Sequence, residues 1–373
     1  MADRDAPLQL GSVYGDLAHE VDMEDEATEE RVSPARARGP GALVISIDFE
    51  LHWGLRDCEN VVHGRSRLLG ARRAVPAMLA AFEEFDIRAT WAIVGLLFAE
   101  TKREMLARLP ATPRTLRSAP SADQALRDVG SNERDDPFHF APSLIRRIAD
   151  TAGQEIGTHT FTHYYCLEDG QSVADFAADL RAAIEITRDR IGRAPRSVVF
   201  PRNQVNPAYL RACRAAGLRA YRGNRDNWLY RAWPTRDESA LRRGMRLTDA
   251  YVPLSGSNAW PIPLEPGDGC PVDVPASRFL RPYAPALGPL EPFRIHRITA
   301  DMRHAARHGL VFHLWWHPHD FGLHLAENVD VLRRILRCFS GLRARYGMES
   351  LTMHEVAERV ISGTGPAASA AAP

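Results

Sequence analysis

Short apolar runs rich in β-branched residues recur along this chain, and most of them are followed by a longer amphipathic stretch. Such short runs predict strands, and apolar positions spaced three to four residues apart predict helices. The predicted strands lie at 42–48, 89–94, 155–156, 197–200, 218–221 and 310–316. The predicted helices lie at 71–85, 143–152, 175–191, 206–216, 293–308 and 326–346. Because strands and helices alternate, the pattern predicts parallel βα units and an α/β fold.

Three segments fall outside this alternation. Residues 1–40 include an acidic stretch and lack a core-forming pattern, so we expect a disordered tail there. Residues 228–292 are rich in proline and aromatic residues, which predicts an ordered, loop-rich insertion that forms a lid or wall beside the site. Residues 363–373 are rich in alanine and are expected to be flexible. The folded domain is therefore expected to span residues 41–362.

The composition excludes several kinds of partner and site. The formal net charge is +0, which gives no electrostatic reason to expect nucleic acid or an anionic membrane as partner. The five cysteines have no C-x-x-C spacing, which argues against a disulfide framework and a thiolate zinc site. The sequence shows neither a signal peptide nor a run of about 20 apolar residues that would cross a membrane. We therefore expect a cytoplasmic protein, and the sequence leaves its oligomeric state open.

Polar residues that carry chemistry follow four of the predicted strands, at the point where each strand ends. They are Asp48 and Glu50, His159 and His163, Arg202, and His317 and His319. In α/β barrels the catalytic groups lie where the strands end at the carboxyl face. The sequence therefore predicts that these side chains meet in one site.

The pair His159 and His163 is the strongest indication of a metal in this set. If the chain turns as a helix after Thr158, residues four apart lie on the same face. Two imidazoles placed in this way can bind one divalent ion at about 2.0–2.1 Å each. The H-x-x-x-H spacing alone is weak evidence, and the other strand ends strengthen it.

The residue types at these strand ends match metal-assisted hydrolysis of an amide or an ester. Two histidines and one carboxylate with an open fourth position are a common arrangement for a catalytic divalent ion. A second carboxylate can act as general base, and a histidine on the opposite side can protonate the leaving group. An arginine beside the base keeps it ionised and oriented.

The chain resembles the polysaccharide deacetylases, a carbohydrate esterase superfamily that includes chitooligosaccharide and peptidoglycan deacetylases. The resemblance covers roughly residues 41–360 and depends on the order of five short motifs along the chain. These motifs are Ser46–Glu50, Ala89–Gly95, Gly157–His163, Phe200–Arg202 and Leu314–His317. The resemblance implies a distorted (β/α)7-type barrel, and we expect this fold with the insertion added to it.

The resemblance also implies a role for each matching residue. His159 and His163 would bind the metal, Asp48 would be the catalytic base and Arg202 would hold it in place. His317 would be the general acid. The expected ion is zinc, with iron, cobalt or nickel as alternatives.

The chain departs from the family pattern at three points. The usual first motif has two adjacent aspartates, whereas Phe49 holds the second place here, so Glu50 becomes the expected third metal ligand. Asp48 as that ligand is an open alternative. The motif around Arg202 continues with Asn203 and Gln204 instead of prolines. For the aspartate that orients His317 we predict Asp226, just before Trp228.

Several residues are expected near the substrate, and some of them have a purely structural role as an alternative. Trp53, Asn203 and Trp260 are the predicted substrate contacts. Packing is an equal alternative for Trp53, and Trp260 either stacks on a sugar ring or fastens the insertion to the barrel. His313, inside an apolar strand, is expected to be a hydrogen-bonded core residue. His319 and Asp320 either cap the following turn or lie near the metal.

These features predict a metal-dependent hydrolase that removes an N-acetyl or O-acetyl group from a sugar or glycan during surface-polysaccharide biosynthesis. One alternative is an allantoinase-like hydrolase of a small non-peptide amide. Another alternative is a catalytically inactive sugar-binding module, which is favoured if Glu50 does not reach the metal. The sequence does not identify the sugar or its carrier.

Overall fold

The computed structural model describes residues 39–110, 126–225, 229–230, 239–262 and 269–363. Most of the tail predicted at 1–40 and nearly all of the tail predicted at 363–373 lie outside the described residues. So do parts of the insertion predicted at 228–292, and so does Asp226.

The described strands form one sheet in which every paired neighbour runs parallel. The strands are β1 (Ala42–Phe49), β2 (Ala89–Ile93), β3 (Gln154–Thr158), β4 (Ser197–Val199), β5 (Ala220–Arg222), β6 (Val272–Asp273), β7 (Arg278–Phe279), β8 (Val311–Trp316) and β9 (Glu349–Leu351). Their order is β6-β5-β4-β3-β2-β1-β8-β7, and β9 pairs with β1 outside this path. The α/β class and the parallel arrangement predicted from the sequence are confirmed.

One segment, Val272–Leu280, connects the two edges of this sheet. The amide of Val274 donates to the carbonyl of Tyr221 in β5 (2.9 Å), and the amide of Leu280 donates to that of Trp315 in β8 (2.8 Å). When this segment is counted as one strand position, the curled sheet has seven positions, as in a distorted (β/α)7 barrel. The predicted insertion therefore contains a barrel strand, which the sequence analysis missed because only two residues at each end pair regularly.

Helices follow most strands and cover the outside of the sheet. They are α1 (Val61–Phe85), α2 (Lys102–Arg108), α3 (Pro142–Asp150), α4 (Val173–Ile191), α5 (Pro207–Ala215), α6 (Ala240–Asp249), α7 (Glu291–His308), α8 (Pro318–Phe321), α9 (Leu325–Tyr346) and α10 (Met353–Ile361). Helix α1 begins ten residues before the predicted start at 71, because Asn60 caps it by accepting from the His63 amide (2.9 Å). The first two turns of α1 are mostly exposed and include an exposed valine, Val62, so their apolar residues do not form the periodic pattern that predicts a helix.

Strand β1 is buried along its whole length and shows how the barrel positions the site. Alternate side chains, from Leu43 to Phe49, belong to the core between the sheet and its helices. The intervening residues, including Ser46 and Asp48, belong to the opposite face of the strand because successive side chains alternate. Asp48 therefore lies on the inner face at the carboxyl end of the barrel.

None of the helices in the described ranges has the length and apolar character needed to cross a bilayer.

Candidate active site

Glu50, His159 and His163 come together at the carboxyl ends of β1 and β3. The Oε2 atom of Glu50 lies 3.2 Å from Nε2 of His159 and 3.0 Å from Nε2 of His163. A shared ion with bonds of about 2.0–2.1 Å holds its ligand atoms roughly 3.3 Å apart, so this spacing fits a metal. Gly54 makes the arrangement possible, because a Cβ atom there would lie 2.0 Å from the Glu50 carboxylate.

The segment that carries the two histidines is not a helix. Thr160 (φ 64°) and His163 (φ 56°) have left-handed backbone conformations, so the helical turn considered for the segment after Thr158 does not form. The turn still brings the two imidazole rings to a centroid distance of 5.0 Å. The carboxylate of Asp179 stabilises it by accepting from the Phe161 amide (2.6 Å) and the Thr162 hydroxyl (2.7 Å). A carboxylate of helix α4 thus replaces the helical bonds that the spacing suggested.

Hydrogen bonding and burial prepare this set of side chains for a cation. The Nδ1–H group of His159 donates to the Val199 carbonyl (2.8 Å), which leaves Nε2 as the lone-pair nitrogen facing Glu50. Burial lowers the pKa of His163 to about 4, although Glu50 opposes the shift, so its imidazole is neutral at pH 7. Burial acts to raise the pKa of Glu50, but His317, His163 and hydrogen bonds outweigh it and hold the pKa well below its usual range. A carboxylate and two neutral imidazoles are donors that suit zinc and related ions.

Asp48 is held by Arg222, and the prediction that Arg202 would hold it is wrong. The two terminal nitrogens of Arg222 each donate to one Asp48 oxygen, both at 2.7 Å. Burial acts to raise the pKa of Asp48, but the charge of Arg222, its hydrogen bond and the charge of His317 lower it. Ser46 and Asn203 also accept bonds from Arg222, at 2.9 and 2.8 Å, so the guanidinium is fully oriented. Arg222 is the last residue of β5 inside the barrel, whereas Arg202 lies beyond the end of β4.

Arg202 lines the pocket but faces a different carboxylate. Its backbone is left-handed (φ 55°) in the turn after β4, and its guanidinium pairs with Asp57. The guanidinium also lies over the ring of Tyr165, 4.6 Å from the ring centre. Arg202 therefore belongs to the rim of the pocket.

His317 lies on the other side of the pocket, where Asp320 orients it. Nδ1 of His317 donates to Oδ2 of Asp320 (2.8 Å), and its Nε2 lies 3.8 Å from Asp48 and 3.9 Å from Glu50. Burial acts to lower the pKa of His317, but Glu50 and Asp320 raise it to about 9. Asp226, the predicted orienting residue, lies outside the described residues, and the contact it was predicted to make belongs to Asp320. The H-P-H-D order of residues 317–320 contained this signal, since Asp320 follows the end of β8 by only four residues.

His319 takes part in the same cluster. Its ring stacks on that of His317 at a centroid distance of 4.8 Å, and its buried Nδ1 has no hydrogen-bond partner among the described residues. That nitrogen lies 3.9 Å from Oε1 of Glu50. Of the two alternatives left open for His319, the position near the metal ligands matches these contacts. The three side chains of His317, His319 and Asp320 also form a second group with metal-ligand spacing.

A pocket of about 550 Å³ opens above these residues. Asn203 lines it, but Trp53 and Trp260 do not. Trp53 is 1% exposed and donates to the His139 carbonyl (3.0 Å), so it packs beneath the site. Trp260 is buried, bonds the Pro275 carbonyl (2.9 Å) and pairs with Val311, so it fastens the insertion to the barrel. The expectation that these two tryptophans contact substrate is wrong, because both side chains are buried and both ring N–H groups donate to carbonyl groups of the protein.

His313 lies below the pocket and is the hydrogen-bonded core histidine that the sequence predicts. Its Nδ1–H donates to the Val274 carbonyl (3.0 Å), and its Nε2 accepts from the Ser46 hydroxyl (2.8 Å). Burial, together with the charge of Arg222, lowers the pKa of His313 to about 3.

The family model named polysaccharide deacetylase matches residues 69–221. Among solved structures, a polysaccharide deacetylase assigned in Mycobacterium smegmatis is 16% identical, covers 92% of this chain and 98% of its own, and superposes with a TM-score of 0.56. One from Pseudomonas aeruginosa PAO1 is 11% identical, with coverages of 85% and 90% and a TM-score of 0.50. PuuE allantoinase is 13% identical, with coverages of 87% and 93% and a TM-score of 0.49. No curated protein matches the sequence.

These identities are low, so the structural likeness establishes the fold and leaves the reaction to be argued from the site. The matched segment contains β2 to β4, the first two residues of β5 and the histidine pair, while Asp48, Glu50, Arg222 and His317 lie outside it. The family resemblance expected from the sequence is confirmed: residues 69–221 carry the polysaccharide deacetylase domain of a chain that has the barrel fold of these proteins.

Proposed function

We propose that this protein is a metal-dependent hydrolase that removes an acetyl group, on nitrogen or on oxygen, from a sugar in surface-polysaccharide assembly. The observation that carries the proposal is the position of Glu50 Oε2 between the two imidazole nitrogens, at 3.2 and 3.0 Å. The family of the matched domain supports the acetylated carbohydrate as substrate class. The pocket volume of about 550 Å³ suits a ligand of one or two sugar rings.

Glu50, His159 and His163 are the residues that would hold the ion. Their donor set is one carboxylate and two neutral imidazoles, and all three side chains are buried. A divalent ion bound there supplies Lewis acidity toward the acyl carbonyl. Zinc is our first choice, and iron, cobalt and nickel suit the same donors.

Asp48 is the proposed general base. Arg222 keeps Asp48 ionised and fixes the plane of the Asp48 carboxylate. Asp48 also lines the pocket. A carboxylate so held accepts the proton of a water that attacks the acyl carbon. Its depressed pKa makes it a weak base, and an ion held by Glu50, His159 and His163 would offset this by raising the acidity of a water beside it.

His317 is the proposed general acid. Because its Nδ1–H donates to Asp320, the proton on Nε2 faces the pocket. The raised pKa, about 9, keeps that proton in place at pH 7. As the carbon–nitrogen bond breaks, Nε2 donates the proton to the departing amine, which leaves acetate and the amino sugar.

The proposal is tested by measuring bound metal and acetate release together, on a panel of N-acetylated and O-acetylated sugars. We expect the wild type to bind one ion at Glu50, His159 and His163 and to release acetate. His159→Ala should lose both the ion and the activity. His317→Ala should keep the ion and lose on the order of 10²- to 10⁴-fold in kcat. His354→Gln, on α10 and away from the pocket, is the matched control and should behave as the wild type.

The possible results separate the competing functions. Metal without acetate release from any sugar would contradict a sugar deacetylase and point to another amide hydrolase. Wild-type protein that takes up no ion would contradict metal-dependent catalysis and favour a sugar-binding module.

A further inference from the structure

The pocket has a second polar wall that the proposed reaction does not use. Arg225 follows β5, and Arg281 follows β7, in the segment that closes the barrel. Arg246 of α6 also lines the pocket. We call Arg225, Arg246 and Arg281 the arginine wall.

Three further arginines of the pocket have carboxylate partners. Arg278 pairs with Asp301 at 2.8 Å, and Arg202 pairs with Asp57. Arg67 lies 3.2 Å from Asp320. These three guanidinium groups are therefore neutralised by the protein itself.

Arg281 differs from these three. Within the part of the chain that the structure describes, no carboxylate lies within 4.0 Å of its guanidinium. The side chain is only partly exposed, and burial together with the charge of Arg246 lowers the pKa of Arg281. A partly buried cation without an anion is unfavourable, and an anionic ligand would relieve that cost.

Arg225 presents a second guanidinium of this kind. Its Nε–H is buried and has no hydrogen-bond partner among the described residues. The charge of Arg225 acts to lower the pKa of Asp273, but the two side chains do not form an ion pair within 4.0 Å in the described structure. Arg225 and Arg281, which follow different strands, thus line one pocket with N–H groups that can still donate hydrogen bonds to a ligand.

An aromatic surface connects this wall to the proposed general acid. The ring of Phe279 lies 5.8 Å from that of His317 and 4.7 Å from that of Trp315. The guanidinium of Arg281 lies 5.9 Å from the centre of the same Phe279 ring. A sugar ring that rests on Phe279 would therefore lie near both His317 and Arg281.

We propose that the arginine wall binds a phosphoryl group carried by the acetylated sugar, while the acetyl group faces Glu50 and its two histidines. This inference rests on the proposed function and names the substrate class of the same site. Planar guanidinium forks match phosphoryl oxygens, and three such oxygens can engage two arginines at once. A carboxylate has only two oxygens and would occupy one fork.

The first test compares kcat/KM for an N-acetylhexosamine, its 1-phosphate and its nucleoside diphosphate-linked form. We expect the phosphorylated forms to be preferred by about 10- to 100-fold, the value of one or two charged hydrogen bonds. Arg281→Gln and Arg225→Gln should each remove about tenfold of that preference, measured in each variant as the ratio of kcat/KM for the phosphorylated and the unphosphorylated sugar. Arg334→Gln, at an exposed ion pair on α9, is the matched control.

The panel also distinguishes the source of the phosphoryl group. Equal preference for the 1-phosphate and the nucleoside diphosphate form supports recognition of the phosphoryl group alone. A lipid diphosphate-linked sugar that outcompetes both supports a lipid-carried substrate of the same chemistry. A preference for an N-acetylated uronic acid over every phosphorylated form would overturn the proposal.

A binding measurement separates this inference from the proposed function. Titration calorimetry with hexosamine 1-phosphate and with unmodified hexosamine, on zinc-loaded wild type and Arg281→Gln, needs no turnover. Tighter binding of the phosphate form that is lost in Arg281→Gln supports the arginine wall even if no acetate is ever released. Equal binding of both sugars, or equal kcat/KM for both substrates, overturns the inference while a measured deacetylation stands.

Discussion

Two arginines lie at the carboxyl ends of neighbouring strands of this barrel, and the structure uses them in different ways. Arg222 is the last residue of β5, is fully buried and forms a two-pronged pair with Asp48. Arg202 follows β4, has a side chain that is 28% exposed and pairs with Asp57 at the rim. Each also lies over an aromatic ring, Trp315 for Arg222 and Tyr165 for Arg202.

The comparison shows how burial changes the contribution of an Asp–Arg ion pair. In the barrel, neither Asp48 nor Arg222 can turn to water if its partner is lost, so each depends on the other. At the rim, water can replace either partner of the Arg202 pair, and such pairs contribute little. We therefore expect the buried pair to control both stability and chemistry, and the rim pair to control neither strongly.

The largest expected effect is on catalysis, and it compares the two aspartates directly. Asp48→Asn keeps the shape of the side chain and removes the proposed base, so kcat should fall on the order of 10²- to 10⁴-fold. Asp57→Asn makes the same change at the rim and should keep kcat within about threefold of the wild type. Acetate release at saturating substrate measures both. Similar losses in the two variants would contradict the distinction.

The second prediction concerns stability. Arg222→Met leaves the Asp48 carboxylate buried without its partner, and should lower the free energy of unfolding by about 3–5 kcal/mol. Urea unfolding of metal-free protein measures the loss. The double variant Asp48→Leu with Arg222→Met removes both charges and should recover most of it. A double variant no more stable than Arg222→Met would show that the cost is packing rather than an unpaired charge.

The third prediction uses pH to test whether His313, buried in the barrel beside Arg222, is held neutral. His313 has a folded-state pKa of about 3, below its unfolded value, so the unfolded state binds the proton first as pH falls. The stability that neutral His313 allows is complete above about pH 6.5 and is lost as the pH falls toward 3. Between pH 7 and pH 5 this loss is about 2 kcal/mol for one histidine.

The measurement is the change in unfolding free energy between pH 7 and pH 5, with a chelator present. His313→Gln should show a change smaller than that of the wild type by about 2 kcal/mol. Other buried histidines contribute equally to both proteins and cancel in the difference. His354→Gln is the control and should keep the wild-type change. An unchanged difference in His313→Gln would mean that His313 is not held neutral.

The smallest expected effect is at the rim. Arg202→Met removes a partly exposed pair and a stacking contact on Tyr165, and should lower the free energy of unfolding by less than about 1 kcal/mol. Urea unfolding beside Arg222→Met gives the comparison in one experiment. A loss at Arg202 as large as that at Arg222 would show that the rim pair is structurally equivalent to the buried one.

The sequence was sufficient for features that depend on local pattern. The alternation of apolar runs and amphipathic stretches predicted a parallel α/β fold, because buried parallel strands and their helices leave periodic traces. The two-residue period of a strand placed Asp48 and Glu50 on one face, and in the structure both line the pocket. The core role of His313 also followed from its position inside an apolar strand.

Features that depend on contacts distant in the chain could not be predicted in this way. Asp48 and Arg222 are separated by 174 positions, and nothing local distinguishes Arg222 from Arg202 at the end of a strand. The turn that joins His159 and His163 depends on Asp179 of α4, so its spacing alone suggested a helix. The strand at 272–280 is recognisable only through its bonds to β5 and β8.

The sequence by itself therefore determined which residues stand at the strand ends and which chemistry their types allow. Only the tertiary structure decided which arginine meets Asp48, which aspartate orients His317, and that Arg225 and Arg281 have no carboxylate partner among the described residues. The physical reason is that side-chain type and strand period are local properties, whereas burial and charge pairing arise when distant strand ends meet inside one barrel.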